Sequence, residues 1–425
     1  MLSAVVGVNW GDEGKGRMVD LFSEEYDIVV RYQGGNNAGH TVINEKGSFI
    51  LNILPSGILR DCTINVLGGG MVIDLEHLHG EIKSLTDKGI KITPQNLKIS
   101  KLATICLPYH KQLDILEEER LAGKSYGSTR RGIAPVYADK YMKKTIRMED
   151  IFLDDDSLLE KITPLCEWKN LTIEKGYNAE PTSPTQILNW IKTYGKELES
   201  FVCDTSAFLD QEHRNNKKIL FEAQLGALRD IDYGIYPFTS SSSTIAAYAP
   251  IGAGIPWLKL DNVIGIVKAY STCVGAGPFA PEMFGEEGEL LRKAGNEYGA
   301  STGRPRRVGG FDLVASRYGA KMQGADFLVL TKLDVLSYLD KIPVCIAYEI
   351  DKKQVTEFPS GKELERAKPV YEYLDGFKED VSKCKSLKEL PQKAYEYIKF
   401  IENAVGKPIK YVSVGPKRDE YFTID

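Results

Sequence analysis

Short apolar runs that end in glycine-rich loops constrain the fold of this chain more than any other feature. The runs are bounded by Gly, Asp or Pro, which is the pattern of strands buried inside a sheet. Glycine clusters follow several of them, at places where backbone could approach a phosphate closely. The runs span residues 4–6, 28–30, 64–67, 263–267, 327–330 and 344–347.

Segments with helical periodicity lie between several of these runs. Apolar residues recur there every three or four positions, for example at Leu78, Ile82 and Leu85. Strands that alternate with such helices predict an α/β fold around a mostly parallel central sheet, with helical and small-sheet insertions. Because no internal repeat or low-complexity linker interrupts the pattern, we expect a single catalytic domain over residues 1–425.

Composition excludes several classes of protein. The 54 Lys and Arg residues against 59 Asp and Glu residues give a net charge of −5, which argues against a nucleic-acid partner. No run of about 18 apolar residues is present, so we expect no membrane span. The first residues do not resemble a signal peptide. Seven scattered cysteines without a CxxC pair suit reduced thiols. We therefore expect a cytoplasmic protein.

The loop after the first run resembles a phosphate-binding P-loop. Gly14 and Lys15 match the pattern GxxxxGK[ST], whereas Asn9 replaces its first glycine and Gly16 its final hydroxyl residue. Since that hydroxyl normally binds Mg²⁺, the ligand must come from elsewhere, and Asp12 is the obvious candidate. The alternative is a glycine-rich turn that only connects a strand to a helix.

A second loop follows the run at residues 28–30 and places His40 after a Gly-Gly-Asn-Asn-Ala-Gly sequence. A single histidine is more often a hydrogen-bonded structural residue than a catalytic one. With only five histidines in the chain, however, one in such a loop is the best catalytic candidate.

These two loops resemble the corresponding segments of the adenylosuccinate synthetase family. The similarity continues in order along essentially the whole chain. The matching segments are residues 11–16, 33–41, 54–58, 127–133, 230–232, 236–237, 299–304, 331–334 and 413–416.

The resemblance implies a carbon–nitrogen ligase of purine biosynthesis, on the AMP branch. It would join IMP and L-aspartate into adenylosuccinate through a 6-phosphoryl-IMP intermediate, with release of GDP and phosphate from GTP. Asp12 would remove the N1 proton of IMP and bind one Mg²⁺ per subunit together with the Gly39 carbonyl. His40 would donate to the phosphoryl group or the 6-oxygen, and Lys15 would add positive charge. A structural ion network of these side chains is the alternative.

Thr331-Lys332-Leu333-Asp334 resembles the guanine-binding NKxD signature. A carboxylate there can accept both the N1–H and the N2–H of guanine, whereas adenine offers an acceptor at N1. By itself the pattern is weak. The resemblance implies GTP contacts from the loops around it, namely Gly11, Asp12, Gly14, Lys15, Gly16, Gly39, His40, Thr41, Arg306, Lys332, Leu333, Asp334, Ser413, Val414, Gly415 and Pro416.

The segment from 299 to 309 places three arginines within four positions. Arginine can bind a carboxylate with two hydrogen bonds, although a solvated basic loop is the alternative. The resemblance implies that this loop binds aspartate through Ser301, Thr302, Arg304 and Arg306. Further IMP contacts are implied for Asp12, Glu13, Gly14, Lys15, Asn37, Ala38, Gly39, His40, Thr129, Lys143, Gln224, Thr239, Ser240 and Arg304.

The chain departs from the family pattern at the predicted IMP site. The usual Glu-Gly-Ala-Gln-Gly is Glu-Ala-Gln-Leu-Gly here, so Gln224 comes one place early and Leu225 holds the usual Gln position. Thr239 also comes one place early, and Ser240 stands at the expected position. We favour Gln224 and Thr239, with Leu225 and Ser240 left as alternatives.

Lys143 replaces an arginine that in the family reaches the IMP phosphate of the partner subunit, which keeps the charge but loses the planar fork. A homodimer is still expected. Two other functions remain open at this point: a guanine-nucleotide switch protein, and a catalytically inactive relative that binds nucleotide as a regulator.

Overall fold

A computed structural model describes residues 1–45, 47–123, 126–299 and 303–424. Its strands are β1 (Leu2–Gly7), β2 (Ile28–Arg31), β3 (His40–Asn44), β4 (Gly47–Leu51), β5 (Ile64–Leu67), β6 (Val72–Ile73), β7 (Leu97–Ser100), β8 (Thr104–Ile105), β9 (Val202–Cys203), β10 (Ile219–Glu222), β11 (Asn262–Lys268), β12 (Ser271–Cys273), β13 (Arg307–Gly309), β14 (Phe311–Asp312), β15 (Phe327–Thr331), β16 (Lys341–Ile350), β17 (Lys353–Val355), β18 (Lys368–Asp375), β19 (Ile409–Ser413) and β20 (Tyr421–Thr423).

The α-helices of the described residues lie mostly between consecutive strands. They are α1 (Lys15–Phe22), α2 (Leu75–Asp87), α3 (Pro108–Leu121), α4 (Ile133–Met142), α5 (Asp155–Asn170), α6 (Pro184–Leu198), α7 (Thr205–Arg214), α8 (Ala249–Ala253), α9 (Gly285–Gly295), α10 (Leu313–Gln323), α11 (Gly361–Arg366) and α12 (Gln392–Val405). The helix predicted around Leu78 and Leu85 is α2, and both side chains are buried. No helix of the described ranges is long and apolar enough to cross a membrane.

The central sheet is almost entirely parallel, as the sequence predicts. Within the described residues it has ten strands in the order β20-β19-β15-β11-β1-β10-β2-β5-β7-β9. Only β20 runs antiparallel to its neighbour. Five of the six apolar runs lie in this sheet, and the α/β prediction is confirmed.

The sixth run, residues 344–347, belongs to β16 of a second, smaller sheet. There β16 pairs antiparallel with β18 and β17, and parallel with the short β14. An apolar run indicates burial, but it does not reveal which sheet receives the strand. Further pairs, β3–β4, β6–β8 and β12–β13, form the remaining small-sheet insertions.

The parallel arrangement brings distant loops to one edge of the sheet. β1 lies between β10 and β11, so that Val5 pairs with Glu222 on one side and Ile264 on the other. β15 pairs next to β11, and β19 next to β15. The loops that follow these strands therefore start side by side, at the edge where α/β proteins bind ligands.

Gly319 allows α10 to pack closely against the backbone that follows β1. A Cβ atom at this position would lie 1.8 Å from the carbonyl oxygen of Val8, which is much closer than two nonbonded atoms can approach. Gly319→Ala should therefore lower the free energy of unfolding by about 1–3 kcal/mol, the usual cost of overpacking. Urea denaturation followed by circular dichroism measures the change.

Gly80→Ala in α2 is the matched control, because no atom lies within 4 Å of the added Cβ. It should raise stability by about 0.5–1 kcal/mol through helix propensity alone. Equal effects of the two substitutions would contradict the close packing at α10.

Candidate functional site

The phosphate loop between β1 and α1 is held in shape by its own glutamate. The Glu13 side chain is buried, and its Oε1 accepts hydrogen bonds from the backbone N–H groups of Gly11 (2.8 Å) and Asn9 (3.1 Å). Its Oε2 accepts from the Nζ of Lys15 at 2.6 Å. α1 then begins at Lys15, so the strand, loop and helix expected of a P-loop-like segment are all present. Glu13 thus fixes both the loop and its lysine.

The loop between β2 and β3 brings His40, the first residue of β3, to the same edge of the sheet. The Nδ1 atom of His40 lies 2.6 Å from Oε1 of Glu222, the last residue of β10. The Glu222 side chain is fully buried, and it also accepts from the backbone N–H and the hydroxyl of Ser56, both at 2.7 Å. Because a carboxylate only accepts, Nδ1 of His40 is the donor, and Nε2 remains for a ligand.

Burial lowers the pKa of His40, and the Glu222 carboxylate opposes that shift by favouring the protonated ring. Sequence analysis did not single out Glu222. The available signal was a carboxylate that directly follows the apolar residues 219–221, at the end of a strand where charge is unusual.

Asp12 faces the arginine-rich loop. Its Oδ2 lies 3.1 Å from the Nε of Arg306, and the Asp12 side chain is about one-third exposed at 31%. The Nη1 of Arg306 donates to Oε2 of the fully buried Glu297 at 2.7 Å. Of the three clustered arginines, Arg306 therefore contacts the phosphate loop. Arg307 instead donates from its Nε to Oε2 of Glu282 at 2.9 Å.

Glu297 also binds two lysines that sequence analysis did not connect with it. Its Oε1 accepts from Lys268 (3.0 Å) and from Lys332 of the predicted guanine signature (2.8 Å). Burial lowers the pKa of Lys268 to about 8, while Glu297 acts in the opposite direction. A glutamate at the start of a glycine-rich loop gave no sequence signal of its own.

The two loops predicted to surround guanine follow the neighbouring strands β15 and β19. The carboxylate of Asp334 is largely buried, and its Oδ1 has no hydrogen-bond partner in the structure. Burial raises the pKa of Asp334. Arg17 of α1 donates to the hydroxyl of Ser413, where the loop after β19 begins. The hydroxyl of Thr331, where the loop after β15 begins, donates to the carbonyl of Glu13 at 2.7 Å. The guanine signature is thus joined directly to the phosphate loop.

Gln224 lies beneath the loop that precedes His40. Its amide nitrogen donates to Oδ1 of Asn37 at 3.0 Å, and its amide oxygen accepts from the buried Arg31. A Cβ at Gly34 would lie 1.1 Å from that amide nitrogen, so only glycine leaves room for the glutamine. Leu225 is half-buried and has a left-handed backbone with φ of +62°. The structure thus joins Gln224 to Asn37, and the choice between Gln224 and Leu225 as an IMP contact stays a prediction.

Other predicted IMP and aspartate residues are more exposed to solvent. Thr129, Lys143 and Arg304 are exposed, and Thr239 and Ser240 are half-buried. Ser301 and Thr302 fall outside the described residues.

The remaining predicted nucleotide contacts differ in how accessible they are. Ala38, Gly16, Leu333, Val414 and Gly415 are buried, so ligand contact would come from their backbone, whereas Gly14, Thr41 and Pro416 are exposed, and Gly39 is intermediate.

The donor set near the phosphate loop suits a hard cation that is shared with a substrate. The described residues contain no cluster of three or more His, Cys, Asp or Glu side chains that could hold a metal alone. Mg²⁺ commonly binds through one or two carboxylates together with substrate phosphates. Asp12 and the Gly39 carbonyl fit that arrangement, because both are oxygen donors on the glycine-rich loops that follow β1 and β2.

Comparison with known proteins decides the family. The family model described as adenylosuccinate synthetase matches residues 4–422. This chain belongs to the adenylosuccinate synthetase family. The enzyme of Carboxydothermus hydrogenoformans is 44% identical over 422 residues, which cover 99% of this chain and 98% of the relative. That of Streptomyces coelicolor is also 44% identical, with the same coverage.

A solved structure supports the same assignment. The fully ligated adenylosuccinate synthetase from Plasmodium falciparum superimposes with a TM-score of 0.93 at 36% identity, covering 100% of this chain and 99% of that one. The chain is accordingly a ligase of the adenylosuccinate synthetase family, which forms adenylosuccinate from IMP and aspartate in purine biosynthesis. Membership in this family favours the ligase over a guanine-nucleotide switch protein.

Glu222→Gln should lower the pKa of His40 still further. The substitution removes the carboxylate that favours the imidazolium, while burial, which disfavours it, remains. Titration of the histidine ring signals by NMR, in protein labelled at histidine, measures the change. Ser56→Ala is the matched control: it removes a neighbour of Glu222 but keeps the charge, so the His40 pKa should stay close to that of the unmodified protein. An unchanged titration in Glu222→Gln would refute the pairing.

Proposed function

We propose that this protein uses GTP to drive the joining of IMP and L-aspartate through a 6-phosphoryl-IMP intermediate. The observation that carries the choice of GTP is the buried Asp334 carboxylate with an unpartnered Oδ1. Guanine supplies the N1–H and N2–H donors that such a carboxylate lacks, whereas adenine presents an acceptor at N1 and would leave it unpaired. The Thr331 hydrogen bond to the phosphate loop supports a single nucleotide that spans both loops.

In the first step, the Asp12 carboxylate takes the N1 proton of IMP, which increases the negative charge on the 6-oxygen. That oxygen attacks the γ-phosphorus of GTP, and the bond from this phosphorus to the β–γ bridging oxygen breaks to leave GDP. Asp12 suits the role because its carboxylate is partly exposed at the mouth of the phosphate loop.

In the second step, the aspartate amine attacks C6, the bond from C6 to the phosphoryl oxygen breaks, and the departing phosphate takes the proton that the amine loses, which forms adenylosuccinate and inorganic phosphate. Arg306 and Arg304 would bind the aspartate carboxylates, since guanidinium groups match carboxylate geometry. Ser301 and Thr302 are proposed to contribute hydroxyl contacts. Release of Asp12 from its ion pair with Arg306 would free both groups for their substrates.

His40 would stabilise the charge on the transferring phosphoryl group. Its Nδ1–H is held by Glu222, so the ring presents Nε2 in a fixed orientation. A ring whose pKa is lowered by burial gains its second proton as a phosphoryl anion approaches, and Glu222 then stabilises the imidazolium. Lys15 would add a positive charge beside the phosphates.

Asp12 and the Gly39 carbonyl are proposed to hold one Mg²⁺ per subunit. When bound, the ion would neutralise negative charge on the nucleotide phosphates. The residues of the chain keep their own roles, since Asp12 accepts the N1 proton and Glu13 keeps the loop amides in place.

For IMP itself we propose contacts from Asn37, Thr129 and Arg304, with Gln224 and Thr239 favoured over Leu225 and Ser240. The Gln224 hydrogen bond to Asn37 supports the first of these choices. We also propose a cytoplasmic homodimer in which the whole chain works as one catalytic unit. Exposed Lys143, beside the exposed side chains of Tyr141 and Met142, would lie at the subunit contact.

The proposed function is tested by an omission assay. Purified protein is mixed with Mg²⁺, IMP, aspartate and GTP, and absorbance near the adenylosuccinate band is followed while each component is left out in turn. The expected result is a signal that requires all four components and falls sharply when ATP replaces GTP. GTP loss that is indifferent to IMP and aspartate would overturn the proposal, and no reaction at all would indicate an inactive relative.

The variant Asp334→Asn, run in the same assay, tests the basis of nucleotide choice. It should reduce the preference for GTP over ATP by about tenfold or more, because the amide no longer accepts both guanine donors. Asp340→Asn is the matched control, because Asp340 is close to Asp334 in the sequence but its side chain is 82% exposed. An unchanged GTP/ATP ratio in Asp334→Asn would refute the assignment.

Asp12→Asn tests the proton transfer separately from binding. The amide cannot accept the N1 proton, so kcat should fall by about 10²–10⁴-fold while GDP binding stays largely intact. Single-turnover kinetics and calorimetry measure the two effects. Asp87→Asn, at the exposed end of α2, serves as the control and should behave as the unmodified enzyme. Normal turnover by Asp12→Asn would exclude it as the base.

A further inference from the structure

One buried carboxylate connects three parts of the site that come from distant stretches of the chain. Glu297 is fully buried, and its two oxygens accept from Arg306 at 2.7 Å, Lys332 at 2.8 Å and Lys268 at 3.0 Å. The Tyr270 hydroxyl is a further donor to Oε1. Besides the Thr331 hydrogen bond to the carbonyl of Glu13, Glu297 thus joins the guanine signature to Arg306, which faces Asp12.

Glu297 also closes the base of the arginine loop. Its carbonyl accepts from the backbone N–H of Arg306 at 2.9 Å, so backbone and side chain both join the two residues. The loop between them continues with a bridge between Tyr298 and Pro305. Arg306 is therefore fixed to Glu297 at its backbone, while its Nε reaches 3.1 Å from Oδ2 of Asp12.

Lys332 brings the guanine signature to the same point. Its Nζ donates to the carbonyl of Gly295 at 2.6 Å as well as to Glu297. Lys332 has a left-handed backbone with φ of +58°, which costs energy for a residue other than glycine and fixes the direction of the segment that continues to Asp334. The segment that carries Asp334 is therefore connected to Glu297 through Lys332.

We propose that Glu297 is a positioning residue that couples the guanine end of the site to the aspartate end. Lys332 and Arg306 share its carboxylate, so a nucleotide that fixes Lys332 also fixes Arg306 at the place where an aspartate carboxylate binds. The inference rests on the proposed function, because it assigns guanine and aspartate to the two ends of the link.

The coupling is measured as the factor by which L-aspartate tightens the binding of GDP, by calorimetry with saturating IMP and Mg²⁺. By linkage, GDP must tighten aspartate by the same factor. The unmodified enzyme should show tightening of about fivefold or more, the lower end of typical coupling. In Glu297→Gln the factor should fall to about one. If Glu297 had a purely structural role, the substitution would weaken the binding of both ligands but leave the coupling factor unchanged. That result would overturn the inference.

Two further variants show whether a loss of coupling is specific to the link through Glu297. Glu282→Gln, the matched control, removes the carboxylate that pairs with the neighbouring Arg307 and should leave the coupling factor unchanged. Lys332→Met cuts the link from its other end and leaves Glu297 with Lys268 and Arg306, so it avoids burying unpaired cations and should also abolish coupling.

The outcomes separate this inference from the proposed function. GTP-dependent turnover without any coupling in the unmodified enzyme would overturn the inference and leave the proposed function in place. Coupling retained in both Glu297→Gln and Lys332→Met would also overturn it. Absence of GTP-dependent ligation in the omission assay would instead remove the proposed function itself.

Discussion

The parallel pairing of β1 with β10 and β11 is the constraint on which the rest of the site depends. In a parallel sheet, the carboxyl ends of neighbouring strands meet at one edge, and side chains on the following loops become neighbours whatever their distance in sequence. This places Asp12, Glu222 and Lys268 close to the ends of three adjacent strands. An antiparallel sheet would have sent alternate loops to the opposite edge.

Buried carboxylates then give these loops a defined shape. Glu13, Glu222 and Glu297 are each at most 2% exposed, and each accepts hydrogen bonds from groups on a functional loop. Removing a charge from water costs several kcal/mol, which the partners only partly recover, so such pairs contribute little net stability. Their effect is to fix orientation: one side chain sets the loop amides, one the histidine ring, and one the arginine.

The sequence allowed prediction of those features that depend on local pattern. Apolar runs located five strands of the central sheet, and Gly14 with Lys15 located the phosphate loop, because both signals lie within a few consecutive residues. Membership of residues 344–347 in the second sheet could not be predicted, since pairing depends on where the distant β18 lies. Glu222 and Glu297 were missed for the same reason, because His40 is 182 residues from Glu222 and Lys332 is 35 residues from Glu297 in the sequence.

The side chains joined through Glu297 carry one more positive than negative charge. Lys268, Lys332 and Arg306 contribute three positive charges, whereas Glu297 and Asp12 contribute two negative ones. Burial lowers the pKa of Lys268 to about 8, and the nearby Lys332 and Arg306 act in the same direction while Glu297 opposes them. An anionic ligand beside these cations would remove the imbalance, and it would compete with Asp12 for Arg306. Under the proposed function, substrate binding and the release of Asp12 from Arg306 would therefore follow from a single exchange of ion pairs.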